Sequence, residues 1–102
     1  MTRPAADVAV DFVRSERARI SKIIPLTKWY LFGSVTRTKR PVSDIDLLVV
    51  CEQAEDCAIV RNELRDCCLK YPVHLMLMTR AEELELDFVV SESAKEIPGF
   101  AA

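Results

Sequence analysis

Glycine is scarce in this chain: two residues in 102, where average usage would supply about seven. That scarcity excludes a loop-rich scaffold, a collagen-like repeat and a flexible linker. Long hydrophobic runs are also missing. None approaches the ~20 residues that cross a bilayer, so no transmembrane helix and no membrane partner are expected. Neither sign of charge dominates. Fourteen Lys and Arg stand against sixteen Asp and Glu, a net charge of −2, so no global field draws nucleic acid or an acidic membrane surface. Met1 to Val10 contains Asp7 and lacks the basic-then-apolar order of a secretory signal. The four cysteines (Cys51, Cys57, Cys67, Cys68) contain no C-x-x-C pair, and adjacent Cys67 and Cys68 are poor disulfide partners. A cytoplasmic setting with reduced thiols is the expectation.

What the chain does have is apolar material. Half of its residues are hydrophobic, enough for one core, and no repeat or linker divides it, so residues 1–102 read as a single domain. Pro4 to Ile24 reads as a helix, with Val8, Ala9, Phe12, Val13, Ile20 and Ile23 at helical spacing. Thr2 is a candidate N-cap, and Pro25 stops the helix. Trp29 to Phe32 is a short aromatic strand ending at Gly33-Ser34. Asp44 to Cys51 reads as a strand whose later part is apolar on both faces, as in a sheet interior. Ala54 to Leu69 is amphipathic, with Cys57, Val60, Leu64, Cys67 and Cys68 on one stripe. Cys57 and Cys68 lie within about 20° of each other at 100° per residue, which suits core packing. Tyr71 to Met78 is a third strand with Pro72 at its start. Thr79 and Glu82 then fit a capping box opening a helix from Ala81 to Glu96, ended near Pro98-Gly99. The order predicts an α+β (α/β-type) domain: a small mixed sheet of at least three strands flanked by helices. The last helix carries Leu84, Leu86, Phe88, Val89 and Val90 on more than one face. With Phe100 beyond it, this is either a wide core face or a dimer or partner surface.

The chemistry concentrates between Gly33 and Asp46. Asp44 and Asp46, two apart on a strand, project to the same face. Adjacent carboxylates repel unless a cation neutralises them, and Mg²⁺ takes carboxylate oxygens together with substrate phosphates. The pair equally fits a solvated turn before the strand, capped by Ser43. Gly33 at a strand end lets backbone N–H groups approach an anion; Ser34 adds a hydroxyl and Arg37 a planar cation suited to phosphate. Taken alone, a Gly-Ser dipeptide is an ordinary strand-ending turn. The combination is more telling: nine residues separate Ser34 from Asp44, and the basic Arg37, Lys39 and Arg40 fall between them. That basic stretch, without interleaved aromatics, suits a solvated loop or a phosphate-facing edge better than a nucleic-acid patch.

Phe32-Gly33-Ser34, the spacer and Ser43-Asp44-Ile45-Asp46-Leu47-Leu48-Val49 resemble the signature of the polymerase-β-like nucleotidyltransferase superfamily, with the closest likeness to its minimal branch. The resemblance runs from Trp29 to about Met78. It implies a nucleotidyltransferase fold over residues 1–102, with Gly33, Ser34 and Arg37 on the nucleotide phosphates and Asp44 and Asp46 on Mg²⁺ (or Mn²⁺). The implied reaction is transfer of a nucleoside monophosphate, AMP from ATP or another nucleoside triphosphate, to an acceptor hydroxyl with release of pyrophosphate. It also implies a helical HEPN-type partner protein, as in toxin–antitoxin pairs.

Two positions depart from the family pattern. The next strand usually carries a third carboxylate, and here that slot is Val73-His74-Leu75, with the chain's one histidine. Neutral imidazole is a general base or an Mn²⁺-tolerant ligand, but a poor Mg²⁺ ligand; a structural histidine at a pocket edge fits as well. Relatives often carry a glycine after an arginine beyond the Gly-Ser turn, where this chain has Arg37-Thr38. Two functions therefore stand: a working nucleotidyltransferase, or a weakened one serving as a partner-binding or antitoxin subunit.

Overall fold

The computed structural model describes residues 6–33, 45–70 and 73–97. In chain order these form α1 (Ala6–Ser21), β1 (Thr27–Phe32), β2 (Ile45–Cys51), α2 (Ala54–Glu63), α3 (Arg65–Lys70), β3 (Val73–Thr79), α4 (Arg80–Leu86), α5 (Phe88–Ser91) and β4 (Lys95–Glu96). Thr2, Pro4, Tyr71, Pro72, Pro98, Gly99 and Phe100, and the side chains of Val8 and Ala9, lie outside the described residues.

The sheet order is β3-β2-β1-β4. β1 runs antiparallel to β2 and β4, while β2 and β3 are parallel, so the sheet is mixed and the fold is α+β. The parallel β2–β3 pair needs a long crossover, which α2 and α3 supply. Odd-numbered β2 residues face one core. Leu47, Val49 and Cys51 pack there with Trp29, with Val13 and Ile20 of α1, and with Val60, Leu64 and Cys67 from the crossover. Even-numbered Leu48 and Val50 face the other side with Met78, where Phe88 and Val89 of α5 cover them. This two-sided cover explains why β2 is apolar throughout and central.

β1 starts two residues earlier than its aromatic run suggests. Trp29 is fully buried, and its indole N–H donates to Thr27 Oγ1 at 3.0 Å, so Thr27 is buried as the partner the indole needs. α1 ends at Ser21 rather than Ile24. The N–H groups of Ile23 and Ile24 both donate to Ile20 O, at 2.9 and 2.8 Å, closing a turn before Pro25. Arg19 joins α1 to α2, pairing with Glu16 at 2.7 Å and with Glu63 at 2.6 Å.

The single helix expected over Ala54–Leu69 is two. Leu64, with φ −93° and ψ 2°, leaves the helical geometry between α2 and α3, yet stays fully buried with Val60 and Cys67. The expected Thr79–Glu82 capping box is present: Glu82 N–H donates to Thr79 Oγ1 at 3.2 Å, and Thr79 N–H to Glu82 Oε1 at 2.8 Å. The helix beyond it does not run to Glu96. Asp87 takes the left-handed conformation (φ 51°), its N–H donating to Glu83 O, while the Glu83 carboxylate accepts from Val89 N–H at 3.0 Å. The chain thereby turns Phe88 and Val89 onto the sheet and leaves Leu84, Leu86 and Val90 exposed. After Ser93 (φ 54°), Lys95 and Glu96 pair with Leu31 and Tyr30 as β4, and buried Ile97 donates its N–H to Trp29 O at 2.8 Å. Among the described residues, no helix is long and apolar enough to cross a membrane.

Candidate functional site

Strand register places the site. Phe32, the last residue of β1, lies opposite Asp46, and Asp46 lies opposite His74 on β3. Because side chains alternate, these three share the sheet face that carries Leu48, Val50 and Met78. Phe32 closes one end of the row, its ring edge-on to Phe88 with centroids 5.1 Å apart. Phe88 reaches it only because of the turn at Asp87, and a continuous helical reading of this segment misses it.

The Asp46 carboxylate sits between two neighbours. Its Oδ1 is 3.5 Å from His74 Nδ1, an ion pair whenever the imidazole is protonated. Its Oδ2 fills the space that a side chain on residue 33 would take. A Cβ on Gly33 would overlap that oxygen and lie 3.3 Å from Cγ. Gly33 also has φ +75°, a conformation L side chains rarely adopt. Glycine is thus needed here twice, for its backbone angle and for the room it leaves to a carboxylate from the neighbouring strand. Asp46 is 31% exposed and His74 68% exposed, so both are open to a ligand. Tyr30, two residues before Phe32 on the same face, has its phenol held above the ordinary range by burial and by the charges of Glu96 and Glu83. Ser34, Arg37, Lys39, Arg40, Ser43 and Asp44 lie outside the described residues.

The cysteines are free thiols. Burial pushes the Cys67 thiol up to about 12, and it pushes Cys51 and Cys68 up as well, so all three stay protonated at neutral pH and pack as small apolar groups.

A family model described as polymerase beta nucleotidyltransferase matches residues 17–97, which contain every described site residue. No curated protein matches the chain. Among solved structures, one described as "putative nucleotidyltransferase" is similar at 16% identity with a TM-score of 0.61, covering 87% of this chain and 97% of its own. At that identity the likeness speaks for the fold, and it agrees with the mixed four-stranded sheet. With the match spanning most of the chain, and the glycine turn and strand carboxylate brought together, the chain belongs to the polymerase β nucleotidyltransferase family.

Proposed function

We propose that this chain transfers a nucleoside monophosphate, AMP from ATP, to an acceptor hydroxyl. In this reading Gly33, Ser34 and Arg37 hold the triphosphate, and Asp44 and Asp46 hold Mg²⁺. The observation that carries it is the contact between Gly33 and Asp46, which sets a phosphate-approaching turn directly against a carboxylate. Asp46 fits a hard cation: its carboxylate is partly exposed, and no Lys or Arg pairs with it among the described residues. Gly33 opposite it forms a cradle that a Cβ would fill. When bound, the metal supplies charge neutralisation for the triphosphate and for the reacting oxygens.

The chain's own residues do the remaining work. The Gly33 turn and Arg37 hold the β- and γ-phosphates so that the α-phosphorus faces the acceptor. Attack by the acceptor oxygen forms the new P–O bond as the bond to the β-phosphate bridging oxygen breaks, and pyrophosphate departs. His74, with Nδ1 turned toward Asp46, presents Nε2 to the acceptor and takes its hydroxyl proton. Catalysis is then mainly positioning and charge neutralisation.

A second reading, a weakened transferase that serves as a partner-binding or antitoxin subunit, is favoured by the imidazole at position 74. Incubation with α-labelled ATP, Mg²⁺ or Mn²⁺ and candidate acceptors, partner proteins among them, separates the two. Transfer by the native chain but not by Asp44→Ala or Asp46→Ala supports the enzyme. A chain that neither binds nor transfers nucleotide under these conditions refutes it.

A further inference from the structure

The two edges of the sheet are guarded very differently. β4 is two residues long, and both of them, Lys95 and Glu96, are charged, so it offers little backbone for pairing. β3 has no such protection. It runs for seven residues without a proline, Lys, Arg, Asp or Glu, in a chain that is 29% charged. Among the described residues it pairs with β2 alone. Met76 at its centre is 39% exposed, and His74 two residues earlier is exposed as well. α4, which follows β3, does not shield this edge. Its Arg80, Glu83 and Leu84 lean the other way, lining a cavity with Lys28, Tyr30 and Val50. A long uncharged edge of this kind is a template for another strand.

We propose that the strand it takes is β3 of a second copy, paired antiparallel about a two-fold axis through Met76. The sequence of the strand is self-complementary in that register. Val73 stands opposite Thr79, His74 opposite Met78, Leu75 opposite Leu77 and Met76 opposite itself. Every residue of the strand is used, each side chain keeps to its own face of the sheet, and no Lys, Arg, Asp or Glu enters the seam.

The helices agree with this pairing in spacing and in charge. α2 and α3 lie over both β2 and β3, with Val60, Leu64 and Cys67 packed among Leu47, Val49 and Val73. Strands about 4.8 Å apart then bring the helical layers of the two copies to about 10 Å, an ordinary helix-packing distance. Beside Val73, His74 and Leu75 runs a groove lined by Arg61, Arg65, Cys68 and Leu69, with no Asp or Glu in its described lining. α2 begins at the other end of β3, since Cys51 pairs with Thr79, and its first turn carries Glu55 and Asp56. The two-fold exchanges these ends, so each basic groove meets the acidic start of the partner's α2. On the opposite face, the partner subunit's Met78 stands beside His74, on the side away from Asp46, and walls in the imidazole. The pairing goes beyond the transferase reading and does not depend on it.

About a dozen residues a side take part, roughly half the number in a standard interface, so a Kd on the order of 10–100 μM is expected. Sedimentation equilibrium of the native chain from about 5 to 500 μM should show monomer passing to dimer and to nothing larger. Over the same range the β3 amides should gain protection from hydrogen exchange while the β1 amides do not. Met76→Lys sets like charges across the axis and should weaken association about tenfold or more, with circular dichroism unchanged. Leu84→Lys, at an exposed position on α4, should leave association as it is. Met76→Cys should give a disulfide-linked dimer under oxidised glutathione, because residue 76 faces its own copy. His74→Cys should not, since its counterpart lies about 14 Å away. A chain that stays monomeric throughout, or a dimer broken by Leu84→Lys and not by Met76→Lys, overturns the assignment. Cross-linking through His74→Cys in place of Met76→Cys overturns it as well.

Discussion

Gly33→Ala tests the contact on which the site depends. The substitution meets two separate obstacles. At φ +75° an L side chain is strained by about 1 kcal/mol. The new Cβ also overlaps Asp46 Oδ2, and swinging that carboxylate off its rotamer costs about 1 kcal/mol more. The variant should therefore lose about 2 kcal/mol, a fall of about 1 M in urea midpoint for a domain of this size. The two parts separate in the Asp46→Ala background. There the oxygens are gone, and the nearest remaining atom is the Cβ of residue 46, at an ordinary 3.6 Å. Gly33→Ala should then cost only the backbone part, about 1 kcal/mol, so a double-mutant cycle should return a coupling of about 1 kcal/mol. Urea titration of the four proteins measures it, and calorimetry with Mg²⁺ and ATP gives the functional half. Gly33→Ala should weaken nucleotide binding in the native background, because the carboxylate has been turned away. An equal stability cost in both backgrounds would mean that no carboxylate occupies that space, and the proposed site would lose its support.

Three further outcomes follow from other parts of the molecule. His74→Ala should lower transfer about 100-fold or more with ATP affinity unchanged, and His74→Asp, which can also take a proton, should restore much of it; full transfer by His74→Ala in single-turnover assays would exclude the imidazole as base. Trp29→Phe should cost about 1–3 kcal/mol by leaving the buried Thr27 hydroxyl without its indole partner, and Trp29→Phe with Thr27→Val should recover part of that, both read from denaturant midpoints. Cys67 ionises near 9.0 when unfolded but only near 12 when buried, so its contribution is intact below pH 9 and is lost as pH rises toward 12. Stability should fall by about 1.4 kcal/mol per pH unit per buried thiol in that window, a slope that Cys67→Ala should reduce and that an unchanged slope in the variant would contradict.

Local patterns carried much of this fold into view before any coordinates. The aromatic run at Trp29 to Phe32 marks β1, the two-sided apolar run marks β2, and the Thr79–Glu82 spacing marks the capping box, because each depends on residues close in sequence. The rest depends on distant partners. Lys95 and Glu96 are exposed and carry no strand pattern; they become β4 because β1 has an open edge and Ile97 has a core to enter. Asp87 ends α4 in a conformation usually left to glycine, and the turn holds because Glu83 serves both helix ends it joins. At the site, the same-face logic of strand residues was readable, but the contact of Gly33 with Asp46 was not. A spacer of many residues between β1 and β2 leaves their register open, so no counting along the chain could set Phe32 opposite Asp46.

What sets that register is the core, and the precision of the site follows from it. Ile45, Leu47, Val49 and Cys51 must enter the helix-covered face together, all at 1% exposure or less. A one-residue slip of β2 would move all four to the smaller cluster that now takes Leu48 and Val50, and drive Asp46 into the apolar layer. The side chains then no longer fit the core they enter, and the carboxylate is buried without a partner, which carries a desolvation penalty of its own. Asp46 is therefore held at the surface row by its hydrophobic neighbours, in line with Phe32 on one side and His74 on the other. The carboxylate is placed by its apolar neighbours, with one oxygen beside the glycine turn and the other beside the imidazole. A β2 variant that loosens this face, such as Leu47→Ala, should weaken nucleotide binding without touching a site residue, in proportion to the exchange protection lost at the Asp46 amide. Unchanged binding in a variant whose β2 amides exchange freely would show that the carboxylate is positioned by something other than the core.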